Sequence, residues 1–246
     1  MKNLKYILTK ESIQFGGRTL YRIKALKDFG DVKAGDLGGY IEKELNLSQV
    51  GKCWVRDDAL VLENARVRDN AVVRDYVVVR HYAVVLDNAL ICDYAVVGEN
   101  SLICDYAVVG DNARVSDNAW VSGNALVRGN AVVSDYAVVS DNAWVSGKCW
   151  IRDNAVVSDN AVVSGNARVR DNAIATKEVI TFRNIYTLTM TDNHIRYGCI
   201  QKTIGEWKLF LDSDEVIETK RDTDKFKAIE STLREGISIW ENNKDS

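Results

Sequence analysis

Residues 125–142 read Ala125-Leu126-Val127-Arg128-Gly129-Asn130, Ala131-Val132-Val133-Ser134-Asp135-Tyr136, Ala137-Val138-Val139-Ser140-Asp141-Asn142. Each group of six restates one phrase: a small residue, any residue, Val or Ile, any residue, Asp or Gly, then Asn or Tyr. The phrase runs without insertion from Cys53 to Ala175, its small slot through Ala59, Ala65, Ala71 and Val77 to Ala173, its aliphatic slot from Val55 to Val169. Residues two apart share a side of a strand, so the small and aliphatic slots face one way and the positions between them the other. Asp, Gly and Asn tolerate the backbone of a tight corner, so a strand and a corner every six residues give three sides per eighteen-residue coil. An α-helix is excluded: the apolar spacing is even, and an Asn or Gly every sixth residue would break it repeatedly.

About seven coils follow, a column on the order of 34 Å long at ~4.8 Å per strand. Its strand edges need dissimilar terminal elements. Residues 1–50 supply an N-terminal cap, with a β-like stretch from Ile13 to Leu26 and a Gly-punctuated turn at Asp36-Leu37-Gly38-Gly39-Tyr40. Residues 51–176 form the coils. Residues 177–246 read as a small α+β domain: Val179 to Met190 alternates, Asp192-Asn193 makes a turn, and Phe226, Ile229, Leu233, Ile237 and Trp240 lie at helical spacing behind a capping Asp222 or Thr223.

The 246 residues are 46 % hydrophobic and carry a formal net charge of −3, which argues against general nucleic-acid or anionic-membrane binding. Met1 to Lys10 lacks the apolar run of a signal peptide and no stretch is long enough to span a bilayer, so a cytoplasmic location is expected. The five cysteines, Cys53, Cys92, Cys104, Cys149 and Cys199, lack metal-ligand spacing and read as reduced structural thiols, Cys53 and Cys149 in the inward small slot. The corner carboxylates, Asp69 to Asp117, have Arg68, Arg74 and Arg80 and Asn side chains for compensation, and neither a metal nor another cofactor is expected.

The recurrence of an aliphatic residue with a small one four positions later, Val61 with Ala65 and Val67 with Ala71, resembles the hexapeptide-repeat, left-handed parallel β-helix family. The fold expected is therefore mainly β, a left-handed parallel β-helix of about seven triangular coils with an N-terminal cap and a C-terminal α+β domain; its left hand is what the resemblance implies. Gly38-Gly39-Tyr40-Ile41-Glu42, Asn46-Leu47-Ser48, Cys53-Trp54-Val55 and the string from Thr189 to Trp207 are similar to segments of phage and prophage members, some loosely labelled acetyltransferases.

The outward slot reads largely Val, Leu and Trp on all three sides, and contiguous apolar surface of that extent marks an interface. A homo-oligomer is expected, and the resemblance implies a homotrimer. Stacking residues eighteen apart places Trp150 and Arg152 beneath Arg168 and Arg170, with Tyr136 at the adjoining corner. Guanidinium groups beside an indole suit an anionic, planar ligand, for which a nucleotide qualifies. Asp153 and Asp171 are close enough to neutralise these arginines, which leaves plain surface charge as the alternative. Trp54, Arg56 and Arg74 form a weaker counterpart near the other end.

Enzymes of the resembled family use a histidine base near an extruded loop, with acyl-CoA between subunits. His81 instead occupies a corner without a loop, and reads as a solvated turn residue. His194 and Cys199 could make a nucleophilic pair, but read as a capping histidine and a buried thiol. The expected function is thus non-catalytic: sequestration of a small anionic nucleotide-type signal, such as a cyclic nucleotide or ADP-ribose derivative, in intersubunit grooves by a phage-encoded anti-defence sponge in the host cytoplasm. The alternatives are a hexapeptide acyltransferase and a structural or adaptor protein.

Overall fold

A computed structural model describes residues 4–217 and 219–243, so the first three residues of the expected cap and the last three of the tail lie outside the described residues. Strands β1 (Tyr6–Phe15), β2 (Arg18–Ala25) and β3 (Leu37–Ile41) precede twenty-one two-residue strands, β4 (Trp54–Val55) to β24 (Ile174–Ala175). These two-residue strands stack in parallel into three faces of seven, each pairing with the strand eighteen residues on, as Val132 does with Trp150 and Trp150 with Arg168. The result is a parallel β-solenoid of seven regular coils, to which β3 and a bridge from Leu47 to Val67 add an irregular first turn.

The inward slots form one continuous core: Ala71, Val73, Ala131, Val133, Ala167 and Val169 have no exposed surface. The fifth residue of each hexad adopts the left-handed backbone, with φ between 52° and 65° at the sixteen Asp, Glu and His corners from Asp57 to Asp171, and Gly at four others. Asp is among the few residues that take this conformation readily. Its carboxylate has a second task, because the corner N–H points back along the column: Asp75, Asp93, Asp111 and Gly129 donate theirs to Asp57, Asp75, Asp93 and Asp111 at 3.2, 3.1, 2.9 and 2.9 Å. Above Gly129 this corner is glycine, and a Cβ at Gly147 would stand 2.6 Å from the Gly165 carbonyl oxygen. There the coils stack too closely for a side chain.

Strands β1, β2 and β3 pair antiparallel in sequence, and β3 runs parallel to β5 (Leu60–Val61), so the cap extends one face of the solenoid. Gly38 and Gly39 belong to β3 and not to a turn; a Cβ on Gly39 would meet the Ala59 carbonyl oxygen at 2.6 Å, so the first coil approaches too closely for anything larger. Cap residues also cover Trp54, whose indole is 2 % exposed between Tyr6 and Phe29 with ring centroids 6.1 and 5.3 Å away.

The tail is a four-stranded antiparallel sheet, β25 (Ile180–Arg183), β26 (Thr187–Met190), β27 (His194–Tyr197) and β28 (Ile200–Thr203), covered by α1 (Ile204–Asp212) and α2 (Asp224–Asn243). Leu188, Ile195, Trp207, Phe210, Phe226, Leu233 and Ile237 make its core. The turn at Asp192-Asn193 forms as expected, and the Thr223 hydroxyl accepts the Phe226 N–H at the start of α2. The same turn joins tail to solenoid: the Asp192 carboxylate accepts the Thr176 N–H (2.8 Å) and Asn193 accepts the Ile174 N–H (2.9 Å).

The three faces are not equally apolar. Val72, Leu90, Val108, Leu126, Trp144 and Val162 line one without interruption, and Val84, Leu102, Trp120, Val138, Val156 and Ile174 line a second beyond Arg66 in its first strand. The third, extended by the cap, is broken by Arg114 and Arg168.

Candidate anion site at the junction of solenoid and tail

The third face carries the arginine block near its C-terminal end. Strand β20 (Trp150–Ile151) presents Trp150, and Arg152 follows two residues on, hence on the same side. Strand β23 (Arg168–Val169) lies directly above with Arg168 and then Arg170. The guanidinium carbons of Arg152 and Arg168 stand 5.1 and 5.4 Å from the Trp150 ring centroid, within cation–π range, while the indole remains 41 % exposed. Arg170 Nε lies 3.4 Å from Asp153 and 3.8 Å from Asp171. Of the residues expected together, these four meet.

Tyr136 stands at the neighbouring corner with its ring 65 % exposed, and among the described residues it makes no ring or cation contact with the block. The proposed counterpart at the other end does not assemble. Trp54 is buried under the cap, Arg56 pairs with Asp31, and Arg74 lies 3.0 Å from its neighbour Asp75. The outward slot of the first coil is solvent-facing only by periodicity; the hairpin that covers it lies outside the repeat.

A fourth arginine completes the block from the tail. Arg196 on β27 is 5 % exposed, with Nη1 3.7 Å from Asp171 and Nη2 donating to the Cys199 carbonyl at 3.2 Å. Its Nε is buried without a hydrogen-bond partner, as is that of Arg152. Burial and then the neighbouring Arg170 hold its pKa below the ordinary arginine value, opposed by Asp171. Four guanidinium groups thus face two carboxylates. A cavity of about 330 Å³ opens between Arg168, Arg170, Arg196, Thr189, Tyr186 and Cys199, beside another of about 520 Å³ that shares Arg168 and Thr187. The strand alternation Ile195-Arg196-Tyr197, which sets Arg196 opposite two core residues, was the available signal for it.

Among the remaining reactive side chains, the buried Nδ1 of His194 has no hydrogen-bond partner. His81 sits at a left-handed corner between Glu63 (3.4 Å) and Glu99 (2.9 Å), with no loop extruded from the coils. His194 and Cys199 flank opposite ends of β27, and Cys199 is exposed, not buried, because it lies in the β27–β28 turn. The other four thiols are buried. Burial pushes Cys149 up to about 11, and burial together with the Asp93 carboxylate pushes Cys92 up to about 12. Asp75, Cys92 and Asp93 lie close enough to hold an ion, as do Asp87, Cys104 and Asp105. Yet Cys92 keeps its proton and donates it to Asp93 at 3.1 Å, while Asp75 and Asp93 each accept a corner N–H. A protonated thiol is a poor metal ligand. No helix among the described residues is long and apolar enough to cross a membrane.

Residues 107–123 match the YdcK β-solenoid repeat. A 38-residue stretch, 15 % of this chain, is 50 % identical to an uncharacterized acetyltransferase, YdcK, of Escherichia coli K12, and spans 12 % of that protein's length. The first likeness is local to the repeat, and the second covers a small part of either chain.

Proposed function

We propose that the protein is a non-catalytic scaffold that captures a small anionic ligand at the solenoid–tail junction. The observation that carries this reading is the buried Arg196, its Nε unpartnered, joined to Arg168 and Arg170 around an open cavity. Guanidinium groups fork onto phosphate, and two of the four already lie over an indole that stays 41 % exposed and can take a planar group. A nucleotide-type ligand, such as a cyclic nucleotide or an ADP-ribose derivative, meets both requirements. The two apolar faces supply surface for self-association into a homotrimer, which leaves the arginine face along a groove. A phage-encoded sponge for an immune signal is the biological form of this reading, and it rests on the resemblance of the cap and tail segments alone.

Titration calorimetry with cyclic nucleotides and ADP-ribose derivatives tests it: binding heat from at least one, lost in Arg152→Ala and Arg168→Ala, is expected. No heat from any of them overturns the ligand class, and a light-scattering mass of one chain at micromolar concentration removes the groove. A second reading, acyl transfer, is favoured only by the name of the E. coli relative. It requires acetyl-CoA binding that His81→Ala abolishes.

A further inference from the structure

The tail sheet has a cavity on its other side. About 80 Å³ of open cleft is lined by Tyr186, Tyr197, Trp207, Phe210, Phe226 and Ile229, between the sheet and its two helices, with Ile217 and Thr219 of the connection between the helices at its wall. The lining is nearly all aromatic and aliphatic, and the indole N–H of Trp207 is spent on the Ile195 carbonyl at 2.7 Å. The Tyr197 hydroxyl is different: the residue is 4 % exposed and the oxygen is buried with no hydrogen-bond partner. A buried hydroxyl without a partner is costly, and such groups in folded proteins call for an explanation.

Arg196 and Tyr197 are consecutive on β27, so their side chains leave opposite faces of the sheet. The arginine cavity and the aromatic cavity share three lining residues, Tyr186, Gly198 and Cys199. Tyr186 ends the β25–β26 connection and Gly198-Cys199 make the β27–β28 turn, so both cavities open at the same end of the sheet. We propose that one ligand straddles this end: a phosphate-type anion on Arg168, Arg170 and Arg196, joined to a short aliphatic group that enters the aromatic cavity and carries one hydrogen-bonding oxygen for Tyr197. The size follows from the volume, about half that of a cavity of ~150 Å³ that accepts benzene, which suits three or four carbons. This inference rests on the anion reading alone, and it joins a short aliphatic group to the anion where the nucleotide reading has a planar one on Trp150.

The test uses the full chain and three probes: inorganic phosphate, n-butyl phosphate and 4-hydroxybutyl phosphate. Each buried methylene tightens binding about fourfold, so three give butyl phosphate roughly a sixtyfold advantage over phosphate. Ile229→Phe, which fills the cavity, erases that advantage and leaves phosphate affinity unchanged. Arg168→Ala weakens all three probes by the same factor. Tyr197→Phe weakens 4-hydroxybutyl phosphate roughly two- to tenfold and spares butyl phosphate. Equal affinity for phosphate and butyl phosphate, or an advantage that survives Ile229→Phe, overturns the straddling ligand and leaves the anion site intact. Absence of binding by every probe removes both.

Discussion

Asp93 isolates what a corner aspartate contributes. Its backbone is left-handed at φ 62°, its Oδ2 accepts the Asp111 N–H at 2.9 Å and the Cys92 thiol at 3.1 Å, and its own N–H is held by Asp75 at 3.1 Å. Three substitutions separate the terms. Asp93→Ala loses the acceptor, about 0.5–1.5 kcal/mol for a bond at a half-exposed corner, and adds about 1–2 kcal/mol for a Cβ-bearing residue with no local compensation in that conformation, roughly 2–3 kcal/mol together. Asp93→Gly loses the acceptor but relieves the backbone, for a net cost of about 1 kcal/mol or less. Asp93→Asn keeps an oxygen and a residue tolerant of the corner, and stays within about 0.5–1 kcal/mol of the parent. Urea unfolding followed by far-ultraviolet circular dichroism should therefore rank Asn mildest, Gly next and Ala worst, at constant m-value. The Asp111 N–H and then the Cys92 thiol hold this carboxyl below the ordinary carboxylate range. Its charged-state contribution is thus complete above about pH 4, the unfolded value, and is lost as pH falls through the lower folded value. The gap between parent and Asp93→Ala should narrow in that acid window. If Ala proves as mild as Asn at neutral pH, the carboxylate ladder carries no stability and the account of the repeat's fifth position is wrong.

Trp54→Ala should destabilise the cap by about 3–5 kcal/mol, the usual cost of truncating a buried aromatic, and leave anion binding at Arg168 untouched; a fall in ligand affinity without a fall in stability would return Trp54 to the binding surface. Under native conditions one thiol per chain, Cys199, should react rapidly with an aromatic disulfide and all five after denaturation, because the other four are buried and keep their protons; a second fast thiol refutes that burial. Tyr197→Phe should raise the melting temperature of the ligand-free protein, since it deletes a buried hydroxyl with no partner, worth on the order of 1 kcal/mol or more. A lowered midpoint would mean the hydroxyl is satisfied after all.

The solenoid was legible because its information is local and repeated. Ala131 and Val133 declare an inward side by alternation, and twenty further strands restate the same choice. Asp135 is readable as a corner for the same reason. Its second task is not, because the N–H it accepts belongs to Asp153, eighteen residues on, and only the stacking direction reveals which way that N–H points. Trp54 shows the opposite failure. In sequence it is equivalent to Trp120, Trp144 and Trp150, and what separates them is a hairpin about thirty to fifty residues upstream that obeys no period. Cys199 was misplaced for a related reason: the Gly before it closes a turn and does not continue a strand, which moves the thiol from core to solvent.

Arg196 joins these two kinds of information. The repeat alone puts Arg168 and Arg170 on a surface where Asp153 and Asp171 can neutralise them, and a charge cluster of that kind needs no ligand. The tail adds a second guanidinium to Asp171 and removes it from water, so neutralisation no longer closes: a buried cation shared with an already paired carboxylate, with an unpartnered Nε, is more expensive than an exposed one. Had the arginines served only solubility, the tail strand would be expected to bring an apolar or acidic side chain to that position. An anion between Arg168, Arg170 and Arg196 would compensate both the charge and the open donor. Consequently Arg196→Met should stabilise the ligand-free protein while weakening phosphate binding at least tenfold. A variant that loses stability and keeps its phosphate affinity would make Arg196 a structural pillar for Asp171 and the Cys199 turn, and the anion site would lose its strongest support.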